Sequence, residues 1–266
     1  MPTPAGFRKQ FIKAFASLAH HRERHDVLAD FLEMAVCAIR KTTLPPGPAA
    51  DAIEDQYMAV VKRNKPEDVR AMPELLGITT LAIQEGGCDF LGQVIVDLEL
   101  RNDHMGQFFT PYDVSRMMAE MILGDAGEVM KERGFITLME PASGAGGMII
   151  AAADVIEKQG FDIGQKLYVD ATDLSPMCFK MTYLQTSLRG IPATIRRGNT
   201  LSLEMFDHAV TPAFLPFLMT HGEAFAAWQK EAPATPVQPV KPHVKQPRPI
   251  SKTGAAGAQL NLFDPP

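Results

Sequence analysis

Phe135-Ile136-Thr137-Leu138-Met139, followed at once by Glu140-Pro141-Ala142-Ser143-Gly144-Ala145-Gly146-Gly147 and then by an alanine-rich run from Met148 to Lys158, is the stretch on which the reading of this chain turns. A short apolar run, a glycine-rich turn and a helix-forming run, in that order, predict a strand, a tight turn and a helix. Such a turn lets the backbone approach a bound molecule closely. The helix behind it aims free N–H groups and the positive end of its dipole at the same place. Two readings are open: a cradle for a small molecule, or a strand-to-helix turn that uses glycine only for its positive-φ geometry.

Downstream, Lys166-Leu167-Tyr168-Val169-Asp170-Ala171-Thr172 reads as a second strand ending in Asp173. An acidic residue at the tip of a second strand is where a βαβ nucleotide fold binds ribose hydroxyls, because one carboxylate accepts two O–H groups. A third strand, Ala193-Thr194-Ile195-Arg196, runs into Gly198-Asn199-Thr200-Leu201 and brings the Asn199 amide to the same sheet edge, in position to read an adenine ring. Upstream lies Gly106-Gln107-Phe108-Phe109-Thr110-Pro111.

Together these four elements resemble the gamma-type N6-adenine DNA methyltransferases, and among them the modification subunits of type I restriction systems; the resemblance spans roughly residues 1 to 215. It implies an α/β fold, a Rossmann-like sheet of the S-adenosylmethionine-dependent methyltransferase type. It also implies S-adenosylmethionine as cofactor and DNA adenine as substrate, with a separate specificity partner to choose the DNA sequence. On this resemblance Gln107, Phe108, Thr110 and Pro111 pack on the cofactor pocket, with Thr110 near the methionine carboxylate. Glu140, Ser143, Gly144, Gly146 and Gly147 form the glycine turn, Asp173 is the ribose acid and Asn199 completes the Gly-Asn pair.

The family's catalytic motif is Asn-Pro-Pro followed by Tyr or Phe, in which an amide oxygen and a backbone carbonyl accept the adenine amino hydrogens and the ring stacks on the flipped base. The matching stretch here is Phe206-Asp207-His208-Ala209-Val210-Thr211-Pro212-Ala213-Phe214. Thr211 stands for the asparagine, Pro212 keeps the first proline, Ala213 replaces the second and Phe214 keeps the ring. A threonine hydroxyl accepts a hydrogen bond but is shorter than an amide. After this motif only Leu215 to Trp228 is apolar, so the sheet is expected to stop short of the family's full set of strands. Two functions stay open: an adenine-specific DNA methyltransferase that uses Thr211, Pro212 and Phe214, or a catalytically inactive cofactor-binding module with an anti-restriction or regulatory role. Asp264-Pro265-Pro266, with no aromatic after it, reads as coincidence.

Of 266 residues, 46% are hydrophobic and 21% charged, which suits one sizeable core with an appended region. No apolar run reaches membrane-spanning length and the N-terminus lacks a secretory pattern, so cytoplasmic residence is expected. Cys37, Cys88 and Cys178 are widely spaced and read as buried thiols; neither they nor His20, His21 and His25 predict a metal site. A net charge of −5 is low for a protein that grips DNA alone, so DNA contact is expected to be local or borrowed. Arg196, Arg197, Arg8, Lys9, Lys13, Arg22 and Arg24 are the candidates.

Residues 1–100 read as a helical N-terminal region: two amphipathic helices between Phe7 and Ile39, then Ala49–Arg63 and Glu67–Ile83, with Pro66 and Pro73 near helix starts. Residues 101–230 hold the methyltransferase-like domain. Residues 231–258, with prolines at 233, 236, 239, 242, 247 and 249, read as a disordered linker. In the C-terminal segment 259–266, Gln259-Leu260-Asn261-Leu262-Phe263 resembles the peptide by which bacterial proteins bind the DNA polymerase sliding clamp. On that reading Gln259, Leu260, Leu262 and Phe263 make the contact; the alternative is that the leucines and Phe263 fold back on the protein's own core.

Overall fold

A computed structural model describes residues 3–86, 88–100, 109–124 and 126–231, the side chains of His21 and Glu231 excepted. Gln107 and Phe108, the proline-rich segment from residue 232 on and the whole clamp-like peptide lie outside the described residues.

The helical layer begins with α1 (Pro4–Leu18), which Thr3 opens by accepting the Gly6 N–H on its side chain. Its Phe7, Phe11, Phe15 and Leu18 recur at three- and four-residue steps and are all buried. Helices α2 (Arg24–Thr42), α3 (Pro48–Arg63), α4 (Pro66–Gln84) and α5 (Phe90–Asp97) complete the layer. Phe11 is its hub, edge-on to Phe31 of α2 and Phe90 of α5 at centroid distances of 5.6 and 5.8 Å. Pro66 opens α4 as expected, where its missing N–H costs nothing, but Pro73 does not start a helix. It sits inside α4 on the exposed side.

The buried Asp30 ties α2 to α3. It accepts from Arg22 at 2.8 Å, from Asn64 at 2.8 Å and from Arg63, whose Nε lies at 3.0 Å. Burial alone would raise the Asp30 pKa, but the bonds from Arg63, Asn64 and Arg22 outweigh it and hold the carboxyl below the usual range.

After α6 (Tyr112–Leu123) and α7 (Ala126–Arg133) come β1 (Ile136–Glu140), α8 (Gly147–Lys158), the single turn α9 (Ile163–Lys166), β2 (Leu167–Asp173), α10 (Pro176–Arg189), β3 (Ala193–Asn199), β4 (Glu204–Val210) and α11 (Phe214–Glu231). The strands form one mixed sheet in the order β1-β2-β3-β4, with β1, β2 and β3 parallel and β4 antiparallel to β3. Side chains alternate across it. On one face Leu167, Val169, Ala171, Ala193, Ile195 and Ala209 join the same core as α8, α10 and the N-terminal layer. On the other, Tyr168 joins Phe135, Phe217 and Phe225, so α11 packs against the half of the sheet where the parallel strands begin. Arg40 of α2 clasps β4 through both oxygens of Asp207, at 3.2 and 3.3 Å, and through the His208 carbonyl at 3.0 Å. The described residues thus hold a small mixed α/β sheet under a helical layer, a frame compatible with a methyltransferase-like fold.

Candidate functional site

The site lies where β1, β2 and β3 end. Gly144 and Gly146 take φ of +57° and +99°, which carries the chain through the turn and opens α8 with Gly146 as its N-cap. Two bonds fix the turn to the tip of β2, the Ser143 N–H donating to the Thr172 carbonyl at 3.0 Å and the Gly144 N–H to Asp173 Oδ2 at 2.8 Å, and a third closes the turn itself, from the Gly146 N–H to the Ser143 carbonyl at 2.8 Å. From α10, the Thr182 hydroxyl lies 2.9 Å from the Gly144 carbonyl and 3.0 Å from Ser143 Oγ. Ser175 N–H donates to Asp173 Oδ1 at 2.8 Å. Each Asp173 oxygen therefore accepts one of these backbone bonds, and the Leu174 N–H and the Cys178 thiol also bond to the carboxylate. Burial raises the Asp173 pKa, while the Ser175 and Gly144 N–H groups act against that rise.

Beneath the turn is a cavity of about 60 Å³ lined by Asp89, Phe109, Thr110, Ser115, Ala142–Ala145, Gly147 and Met148. The structure thus brings Thr110 beside Ser143, Gly144 and Gly147, and a Cβ added at Gly144 would meet the Phe109 ring at 3.3 Å. Pro111 caps α6, its carbonyl accepting the Val114 and Ser115 N–H groups. Glu140 faces its own loop, accepting the Ala142 N–H at 3.1 Å. Asn199 stands at the same edge, but its Oδ1 accepts from Leu201 and Ser202 at 3.0 and 3.3 Å, which commits that oxygen to the β3–β4 turn. Thr200 ties this turn to the first, its hydroxyl donating to the Pro141 carbonyl at 2.6 Å. Larger cavities lie elsewhere. One of about 450 Å³, between α6, α8 and the end of α10, is lined by Arg116, Lys158 and Arg189 paired with Glu120, Asp154 and Glu157. Its cations are spent internally, so the glycine turn remains the stronger candidate for a ligand.

The structure does not bring the expected catalytic stretch to this edge. β4 runs back along β3 and ends with Val210 opposite Thr194, so Thr211 lies where β3 begins. From there to Asn199 the strand spans roughly 20 Å. Thr211 is buried and fully used: its Oγ1 accepts the Ala193 N–H at 2.9 Å and donates to the Ile191 carbonyl at 2.7 Å. Pro212 is exposed in the turn that follows. Phe214 packs on Tyr168 and Phe225, each with centroids at 5.7 Å, and is taken up by the aromatic cluster under the sheet.

Several basic residues named for DNA contact are also engaged. Arg196 is paired through two bonds of 2.9 and 2.8 Å with Asp170, Arg22 with Asp30, and Arg8 with Asp97 at 3.3 Å. Arg197 lies over the Phe206 ring at 5.4 Å. The three thiols are buried, and burial pushes Cys37 and Cys178 up to about 12 and Cys88 up to about 11, values at which a thiolate nucleophile does not form. Among the described residues there is no group of three or more His, Cys, Asp or Glu able to hold a metal ion, and no helix is long and apolar enough to cross a membrane.

Two residues of the cavity were not anticipated. Asp89 caps α5, accepting the Gly92 N–H at 3.0 Å. Ser115 carries no signal beyond being a small residue on a helix. Gln185 holds Asp89 from α10, donating to Asp89 Oδ1 and to the Ala145 carbonyl, both at 2.7 Å.

Strand, glycine turn and helix, with an acid on the next strand tip, thus stand together at one edge of an α/β frame. Residues 98–221 match the family described as N-6 DNA Methylase. The chain is also similar to the methylase subunit of the type I restriction enzyme MjaIX from Methanocaldococcus jannaschii, at 26% identity over 91 residues. That match takes in 34% of this chain and 14% of the relative, so the chain spans only a small part of the relative's length. No solved structure matches the chain significantly. The chain thus resembles the N6-adenine DNA methylases of type I restriction-modification style.

Proposed function

We propose that this chain binds S-adenosylmethionine at the C-terminal edge of its parallel strands and acts as a DNA-methylase-like module of a restriction-modification type of system. The observation that carries the reading is the glycine turn with positive φ at Gly144 and Gly146, tied by the Gly144 N–H to Asp173 at the tip of β2. The residues fit the cofactor. Gly144, Gly146 and Gly147 leave the backbone open to close approach, with Glu140 and Ser143 supporting the turn, and the Asp173 carboxylate at the tip of β2 suits ribose hydroxyls. Thr110 and Pro111 serve the amino-acid end, to which the family resemblance adds Gln107 and Phe108, and Asn199 the adenine side. When bound, the cofactor supplies an activated methyl group.

Binding rather than transfer is the better-supported function, because Thr211 and Phe214 are engaged at the opposite edge. The second reading, transfer to adenine N6 by Thr211, Pro212 and Phe214, draws its support from the family match alone. The module works in the cytoplasm on DNA chosen by a separate specificity partner. Recruitment to the sliding clamp through Gln259, Leu260, Leu262 and Phe263 belongs to the same proposal.

Calorimetric titration with S-adenosylmethionine tests it. Wild type is expected to bind, and both Asp173→Ala and Asp173→Asn to bind about tenfold or more weakly, circular dichroism confirming that each is folded. Absence of binding by wild type overturns the proposal. Tritiated methyl transfer to unmodified DNA, lost on Phe214→Ala, would establish the second reading in its place.

A further inference from the structure

Of two polar groups lining the small cavity under the glycine turn, one lacks a partner and the other takes its bonds on a single oxygen. Ser115 is fully buried on α6, and its Oγ has no hydrogen-bond partner among the described residues. Asp89 is 4% exposed. Both of its bonds, from the Gly92 N–H and the Gln185 amide, fall on Oδ1. Oδ2 faces Gly147, so closely that a Cβ added there would sit 2.9 Å from it. Buried polar groups are ordinarily satisfied, and a carboxylate with only neutral donors on one oxygen is costly to bury. Two such groups lining one cavity of about 60 Å³ point to a ligand that completes them. That volume is about two water molecules' worth, room for the charged end of an amino acid but not for a nucleoside.

We propose that Asp89, with Ser115 beside it, receives the ammonium group at the amino-acid end of the bound cofactor. This rests on the S-adenosylmethionine reading and adds to it a residue outside the glycine turn, supplied by the N-cap of α5. A carboxylate accepts from an ammonium at Oδ2, and the Ser115 hydroxyl accepts a second of its hydrogens. Gln185 fixes the carboxylate by binding Oδ1, leaving Oδ2 for the ligand. Burial raises the Asp89 pKa, opposed by Gln185 and Gly92, as fits a carboxylate whose counter-charge comes with its ligand.

S-adenosylhomocysteine and 5′-methylthioadenosine share the nucleoside and thioether and differ at the amino-acid end, so titrating both by calorimetry isolates this contact. Asp89→Asn keeps the N-cap oxygen and the Gln185 bond. It is expected to weaken S-adenosylhomocysteine by about tenfold to a hundredfold while leaving 5′-methylthioadenosine near its wild-type affinity. Ser115→Ala, which breaks no bond seen among the described residues, is expected to weaken S-adenosylhomocysteine severalfold. Equal losses for the two ligands in Asp89→Asn would make Asp89 a support of the turn and overturn the proposal, as would no loss for either. If wild type binds both ligands equally tightly, this proposal fails alone; if it binds neither, the cofactor reading fails with it.

Discussion

Thr211→Val separates the two roles Thr211 can have. Valine keeps the shape and removes only the hydroxyl, which in the structure accepts the Ala193 N–H at 2.9 Å and donates to the Ile191 carbonyl at 2.7 Å. Thr211 is 1% exposed, so water cannot replace either partner. Leaving a buried backbone donor or acceptor unsatisfied costs about 1–3 kcal/mol each, so the two together cost about 2–4 kcal/mol after partial relaxation. At about 2–4 °C per kcal/mol for a domain of this size, melting falls by roughly 5–15 °C. Thr211→Ser keeps both bonds and should lose about 1 kcal/mol or less. Thr211→Asn, which restores the family's residue, should destabilise rather than activate, because an amide must fit where a methyl and a hydroxyl now fill the space. Urea unfolding at pH 7, with tritiated methyl transfer measured in parallel, reads all three. A Thr211→Val protein within about 0.5 kcal/mol of wild type, or a Thr211→Asn protein that gains transferase activity, would refute the placement of this residue as a structural lock.

The Asp30 network gives a prediction with a pH signature. Its folded pKa lies below the unfolded value, so its stabilisation is fully present above the unfolded carboxylate range near 4 and is lost as pH falls through the lower folded value. Asp30→Asn should cost about 2 kcal/mol at pH 7, discounted because the Arg63 side chain is 56% exposed, and the difference from wild type should narrow as pH falls below about 4 towards the lowered folded value. A gap in urea unfolding free energy that stays constant from pH 7 to 3 would show that Asp30 stabilises by shape alone. In the aromatic cluster, Trp228 is the chain's one tryptophan and packs on Phe225 and Tyr168, with centroids at 5.3 and 5.5 Å. Phe225→Ala should cost about 3 kcal/mol and shift the tryptophan emission to the red as α11 loosens; an unchanged spectrum would mean that α11 is not held by this cluster.

What the sequence disclosed, and what it hid, follows from what local patterns encode. The order of Ile136–Glu140, the glycine turn and α8 was legible because positive φ selects glycine and burial on a parallel sheet selects apolar runs. The helices of the N-terminal layer were legible from three- and four-residue spacing. Asp89 was not, because an aspartate before an apolar run is adequately explained as a helix cap, and only the fold puts that cap under Gly147. Asn199 was half legible: its position at the edge was foreseeable, while the turn that engages its side-chain oxygen depends on where Leu201 and Ser202 go. The surroundings of Thr211 were not legible, since matching a motif fixes residue identities and leaves strand direction open.

Yet the direction of β4 was set by a length visible in the sequence. A strand parallel to β3 must begin again at the far end of the sheet, which requires a return over roughly 20 Å, and parallel connections usually take a dozen residues or more. Only Thr200 to Leu203 separate Asn199 from Glu204, a link that reaches at most about 17 Å when fully stretched. A hairpin is what that length allows, and a hairpin delivers Thr211 to the wrong edge for chemistry at the glycine turn. Bringing it back would require β4 to leave β3, undoing the Thr211 bonds, the Arg40 clasp on Asp207 and the packing of Phe214 on Tyr168 together. Those contacts join β4 to α2 and α11 as well as to β3, so the rearrangement is not local to one loop. The proposed cofactor cradle draws on none of these contacts: it is built from β1, β2, α5, α6, α8 and α10. On the function proposed above, binding and transfer are thus separable in this chain, and holding the cofactor without passing on its methyl group is the outcome that proposal expects.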